Sequence, residues 1–116
     1  YPAENGGFGT GISVEADTTV TGNIIENAPL AGLQLGWGPF LRDVVATGNV
    51  IRKAGTGIMV SVVEGAGSAI ISDNVIDGAL HGAVIGHRWA DPVTGDLATL
   101  GNAGYAHLTV ERNHVS

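Results

Sequence analysis

Thr47-Gly48-Asn49-Val50-Ile51-Arg52-Lys53-Ala54-Gly55-Thr56-Gly57-Ile58-Met59-Val60 carries the pattern that decides the fold. The same order of residue types stands at Asn23-Ile24-Ile25-Glu26-Asn27-Ala28 and again at Asn74-Val75-Ile76-Asp77-Gly78-Ala79. Each copy reads Asn-x-Ile-x-x-Ala, then a glycine, then an alternating apolar segment. A fourth copy, Asn113-His114-Val115-Ser116, stops with the chain. The spacing is nearly constant: 26 residues from Asn23 to Asn49, and 25 from Asn49 to Asn74. Gly32, Gly57 and Gly82 are likewise 25 apart.

Working outward, three strands are expected in each repeat. The first follows the glycine: Gly11-Ile12-Ser13-Val14, Gly32-Leu33-Gln34-Leu35, Gly57-Ile58-Met59-Val60 and Gly82-Ala83-Val84-Ile85. Period-two alternation sends Ile12, Leu33, Ile58 and Ala83 inward together with Val14, Leu35, Val60 and Ile85, and turns Ser13, Gln34, Met59 and Val84 out. The second strand brings Val20, Ala46, Ile71 and Val110 inward, the third Ile25, Ile51, Ile76 and Val115. Ala28, Ala54 and Ala79 fill a narrow corner. Asparagine tolerates the left-handed backbone of a sharp bend and can exchange amide hydrogen bonds with a copy of itself. Asn23, Asn49, Asn74 and Asn113 therefore predict an internal ladder. One repeat cannot bury its own apolar side, but stacked repeats can.

This reading gives an all-β fold: a right-handed parallel β-helix of about four coils with three strands per coil, the hand following from the crossover rule. Residues 1–116 form a single segment with coils at about 11–31, 32–56, 57–81 and 82–116 and a long loop insertion at about 86–106. β-branched residues and glycines recur where a helix would want Ala, Leu or Glu. A β-sandwich would also bury alternating strands, but it carries no fixed repeat of this length. No capping helix is visible, so both ends are expected to be open edges that invite self-association or a longer parent chain. The chain opens at Tyr1, which suggests a fragment of a longer solenoid.

Composition narrows the function classes. Net charge is −6 and Lys53 is the lone lysine, which disfavours nucleic acid and anionic membrane as partners. No apolar run is long enough for a membrane span. Cysteine is absent, so the redox compartment stays open. The four histidines are dispersed without ligand spacing, so no metal and no cofactor is implied. Gly6-Gly7-Phe8-Gly9-Thr10-Gly11 approaches a calcium β-roll repeat but lacks its aspartate.

Function is expected on the loops between first and second strands, which stacking would gather on one edge. They contain Trp37, Arg42, Asp43, Glu64, His87, Arg88, Trp89 and Asp91. An exposed Trp offers a flat apolar face to a sugar ring, and Arg or Asp supplies bidentate hydrogen bonds, so carbohydrate is the expected ligand. The plainer alternative is that Trp37 and Trp89 pack on each other or under their own loops. Asp43, Glu64 and Asp91 fall on successive repeats, and a one-coil spacing of about 4.8 Å would allow a glycosidase-like carboxylate pair. His87 near Asp91 could act as a base. No catalytic residue is assigned, and whether the protein is an enzyme stays open.

The Gly-Ile-x-Val and Gly-Asn-x-Ile-x-x-Ala coils resemble the right-handed parallel β-helix (pectate-lyase-like) group of pectate lyases, polygalacturonases and alginate epimerases. The segments Asn23 to Gly38, Thr47 to Gly55 and Pro92 to Leu97 more closely resemble an uncharacterised bacterial family of twin-arginine-exported repeat proteins. That resemblance implies export, hence a periplasmic or extracellular location, and a longer parent chain. It brings no established activity. The paired Asp-Asp, Gly-His-Gly and Asp-Pro-His-Glu patterns of the sugar-active relatives are missing; Asp91-Pro92-Val93-Thr94 departs from the last at both following positions. The expected role is a non-catalytic scaffold or glycan-binding segment; the alternative is a polysaccharide lyase, hydrolase or epimerase with its site on the loop edge.

Overall fold

In the computed structural model, which describes residues 9–116, the chain passes through three sheets in rotation. The first pass is β1 (Thr10–Val14), β2 (Ala16–Thr21) and β3 (Ile24–Glu26). The second is β4 (Ala31–Leu35), β5 (Arg42–Thr47) and β6 (Val50–Arg52), and the third β7 (Thr56–Ser61), β8 (Ala69–Ser72) and β9 (Val75–Asp77). The fourth begins with β10 (Gly82–Arg88), detours through β11 (Asp91–Asp96) and a short helix α1 (Leu97–Leu100), and closes with β12 (Leu108–Glu111) and β13 (His114–Val115). Strands of one kind pair in parallel: β1-β4-β7-β10, β2-β5-β8-β12 and β3-β6-β9-β13. This is an all-β architecture of parallel sheets, compatible with a parallel β-helix. Gly6, Gly7 and Phe8 of the calcium-like stretch lie outside the described residues.

Side chains of like position stack in rows. Leu33, Ile58 and Val84 form one row, Val44 and Ala69 another, Ile51 and Ile76 a third, and each is essentially inaccessible to water. Burying these aliphatic rows is the main stabilising term, at about 25 cal/mol for each Å² removed from water. The glycine near the start of β1, β4 and β7 has a packing reason. A Cβ on Gly32 would lie 2.6 Å from Cγ2 of Ile51 and 2.7 Å from the Gly57 carbonyl, and one on Gly57 would lie 2.7 Å from Cγ2 of Ile76. Third-sheet isoleucines fill the space where those side chains would stand.

The asparagines form one hydrogen-bonded column. Nδ2 of Asn23 donates to Oδ1 of Asn49 at 3.1 Å, Nδ2 of Asn49 to Oδ1 of Asn74 at 3.0 Å, and Nδ2 of Asn74 to Oδ1 of Asn113 at 2.9 Å. The second amide proton of Asn49 goes to the Val20 carbonyl at 2.9 Å, that of Asn74 to Ala46 at 3.1 Å. Each Oδ1 also accepts the backbone N–H of the preceding asparagine, at 3.2, 3.0 and 3.1 Å down the column. Two donors and two acceptors are used in full, which only a primary amide can provide. The expected conformational reason is corrected: the left-handed residue at each bend is the one before the asparagine. Gly22, Gly48, Asp73 and Arg112 have φ of 71°, 69°, 57° and 55°.

Two further expectations change. Equal glycine spacing aligned Gly82 with Gly57, but Gly82 pairs with Thr56 and Val84 with Ile58. The corner after Ala54 is one residue, Gly55, whereas that after Ala79 is two, Leu80 and His81. The slip of one residue turns Val84 into the core and Ile85 onto the outer row beside Met59. The edge expected to be open at β10 is also occupied. β11 pairs with it antiparallel. The Asp96 carboxylate accepts from the N–H of Ala83 and Val84 at 2.9 and 3.0 Å, and Thr94 Oγ1 accepts from that of Gly86 at 2.9 Å. The 86–106 insertion is thus a hairpin arm and a helical turn, pinned by the fully buried Leu97.

Candidate functional site

The insertion hairpin places Trp89 at its turn. Trp89 has φ of 55°, a left-handed conformation that a bulky residue adopts only under strain. What holds it there is packing. Its six-membered ring lies over Gly38, where a Cβ would collide with it, and Trp37 meets it edge to face with centroids 5.7 Å apart at 71°. Trp37 is half-buried in this contact while Trp89 keeps 45% of its surface exposed. The tryptophans do pack on each other, yet one ring still faces solvent.

Beneath them Gln34, Met59, Ser61 and His87 close a gap of only about 10 Å³, too small for a ligand. Ser61 Oγ donates to the Gly38 carbonyl at 2.6 Å and so anchors the Trp37–Phe40 turn. His87 stacks in register on Ser61 and is 9% exposed. Among the described residues neither of its ring nitrogens has a hydrogen-bond partner. Burial pushes its pKa below the usual histidine range; the Ala90 backbone, not placed for a full hydrogen bond, and the Asp91 carboxylate oppose that shift.

Beside Trp89, Arg88 Nη1 donates to both oxygens of Glu64 at 2.7 Å. That hydrogen bond holds the Glu64 carboxyl below its ordinary pKa. Arg42 forms a two-point ion pair with Asp17 of the preceding repeat, which lowers the Asp17 pKa and raises that of Arg42. Asp43 is exposed on β5 with φ of 51°, and Asp91 is exposed where β11 leaves the turn.

The expected site residues therefore fall into two groups. Trp37, Glu64, His87, Arg88 and Trp89 gather around the hairpin turn, with Asp91 at its far strand. Arg42 instead borders a separate depression of about 350 Å³ with Glu15, Phe40 and Gly65. Sequence reading missed Ser61 and Asp17, whose roles depend on contacts across repeats. It also missed Asp96, which caps α1 by accepting the Ala98 N–H at 3.0 Å; an Asp directly before Leu-Ala-Thr-Leu is a signal that could have found it. Among the described residues no three His, Asp or Glu side chains converge as metal ligands would, and no helix is long and apolar enough to cross a membrane. No protein-family model, curated protein or solved structure matches the chain.

Proposed function

We propose that the chain is a segment of a right-handed parallel β-helix with three strands per coil, belonging to an exported bacterial repeat protein, periplasmic or extracellular, and that it binds glycan without turning it over. The observation that carries the reading is Trp89. Holding a tryptophan in left-handed backbone costs about 1–2 kcal/mol, and such strain persists where a fixed side-chain direction is useful. The ring is held by Trp37 and Gly38 but leaves 45% of the residue's surface to solvent, which suits stacking on a sugar. The neighbouring Arg88–Glu64 pair offers donors and acceptors to ring hydroxyls without net charge.

The alternative enzyme reading is the poorer fit. A proton donor for glycoside cleavage needs a raised pKa, and Arg88 moves Glu64 the other way. Affinity electrophoresis against neutral and anionic polysaccharides tests the proposal. Retardation of the wild type, lost in Trp89→Gly and without product release, is the expected result. Retardation by none of them counts against it, as does product release that disappears in Asp43→Asn, Glu64→Gln or Asp91→Asn.

A further inference from the structure

The outer face of the first sheet carries a second depression, of about 420 Å³, which neither tryptophan lines. Its apolar walls are Pro29, Leu30, Met59, Ile85 and Pro92, and His87 forms part of the lining. We infer that this cleft binds a small uncharged phenol, its ring against Met59 and the two prolines and its hydroxyl on the His87 imidazole. The inference does not rest on the sugar reading: the cleft shares Met59 and His87 with the gap beneath the tryptophans, but none of Trp37, Trp89, Arg88 and Glu64, on which that reading stands.

Three observations converge. The cleft has the size and the largely apolar lining of small-molecule sites. His87 is more than nine-tenths buried, and among the described residues neither ring nitrogen has a hydrogen bond of full geometry, the Ala90 backbone being only near; buried polar groups nearly always have a partner. The nitrogens are closed to solvent as the ring stands, and the outer torsion of a histidine is soft, so the inference requires the ring to turn and present one of them to the cleft it already lines. Among the described residues no Arg, Lys, Asp or Glu lines the cleft, so a charged ligand would lose its hydration without a counter-charge. Among the described residues the only other titratable lining group is His81, which is exposed.

A neutral imidazole offers one lone pair and one N–H, and a phenol hydroxyl donates well to the lone pair. An aromatic ring is preferred over a saturated one because the Met59 thioether makes favourable contacts with ring edges. The register that builds this site is the one-residue slip at β10, which places Ile85 next to Met59 and His87 two residues on along the same face. With the glycines in register, Val84 and Gly86 would have stood there instead.

Titration with p-cresol, toluene and benzoate, followed by the 15N and 13C ring signals of His87 and the methyl of Met59, tests it. Expected are saturable p-cresol binding that moves both signals, toluene bound about tenfold more weakly for want of one hydrogen bond, and no binding of benzoate. His87→Phe should bring p-cresol and toluene to equal affinity. Leu30→Trp, at an exposed rim position where folding is not at risk, should abolish both. The inference is overturned if p-cresol does not saturate, if toluene or benzoate binds as well to the wild type, or if Leu30→Trp leaves p-cresol binding unchanged.

Discussion

Replacing Asn49 with aspartate changes one NH2 into an oxygen and should act mainly through pH. In the native column Asn49 Nδ2 donates to the Val20 carbonyl and to Oδ1 of Asn74, at 2.9 and 3.0 Å, and the side chain is wholly buried. A carboxylate there would face two acceptors and donate nothing. The folded state therefore keeps the acid protonated, which leaves one O–H for two acceptors and costs about 1–3 kcal/mol at any pH. An unfolded aspartate titrates near pH 4. Its folded pKa is raised above that, so between the two values the folded state holds a proton that the unfolded state has lost. Raising the pH then favours unfolding, by about 1.4 kcal/mol per unit. By pH 6 the combined loss is about 4–6 kcal/mol, comparable with the whole stability of many domains. Urea unfolding followed by fluorescence of Trp37 and Trp89 at pH 4, 5, 6 and 7 measures this, with Asn49→Leu as a variant that loses the bonds without a proton linkage. If Asn49→Asp, relative to wild type, is no less stable at pH 7 than at pH 4, the column does not hold the repeats as argued.

Four other outcomes follow from the same packing. Gly55→Ala should lower the urea midpoint sharply, since a Cβ there would overlap the Pro29 carbonyl and lie 2.8 Å from that of Leu30, and over-packing of this kind costs about 1–3 kcal/mol. Ile76→Ala should cost about 2–5 kcal/mol by cavity formation, and Ile51→Asp should leave no cooperative thermal transition because its charge would be buried unpaired. His87 has a folded pKa below its unfolded value near 6.5, so its neutral form contributes stability at neutral pH that is lost as the pH falls below about 6.5. Urea midpoints between pH 8 and 5 should show that decline in wild type and not in His87→Phe. The Asp17–Arg42 and Asp73–Arg112 pairs lose their attraction only below the ordinary carboxylate range, which separates the two effects.

The repeat by itself determined the class of fold and much of the core. Asparagine, isoleucine and alanine at fixed offsets favour the arrangement in which each apolar flank is covered by a copy of itself, namely like strands lying parallel over one another. Ile25, Ile51 and Ile76 and the asparagine column were legible because their partners are copies of themselves, so spacing alone names the contact. What spacing could not decide was whatever depends on unlike neighbours. A corner of one residue or two gives the same 25-residue interval if another segment compensates, so the inward face of β10 was read one residue out. Whether β10 ends in an open edge, whether Trp89 stacks or projects, and what Arg42, Glu64 and Arg88 pair with are settled by groups distant in the sequence. The candidate site lies where the repeat is broken, and there tertiary contacts alone fix which side chains meet.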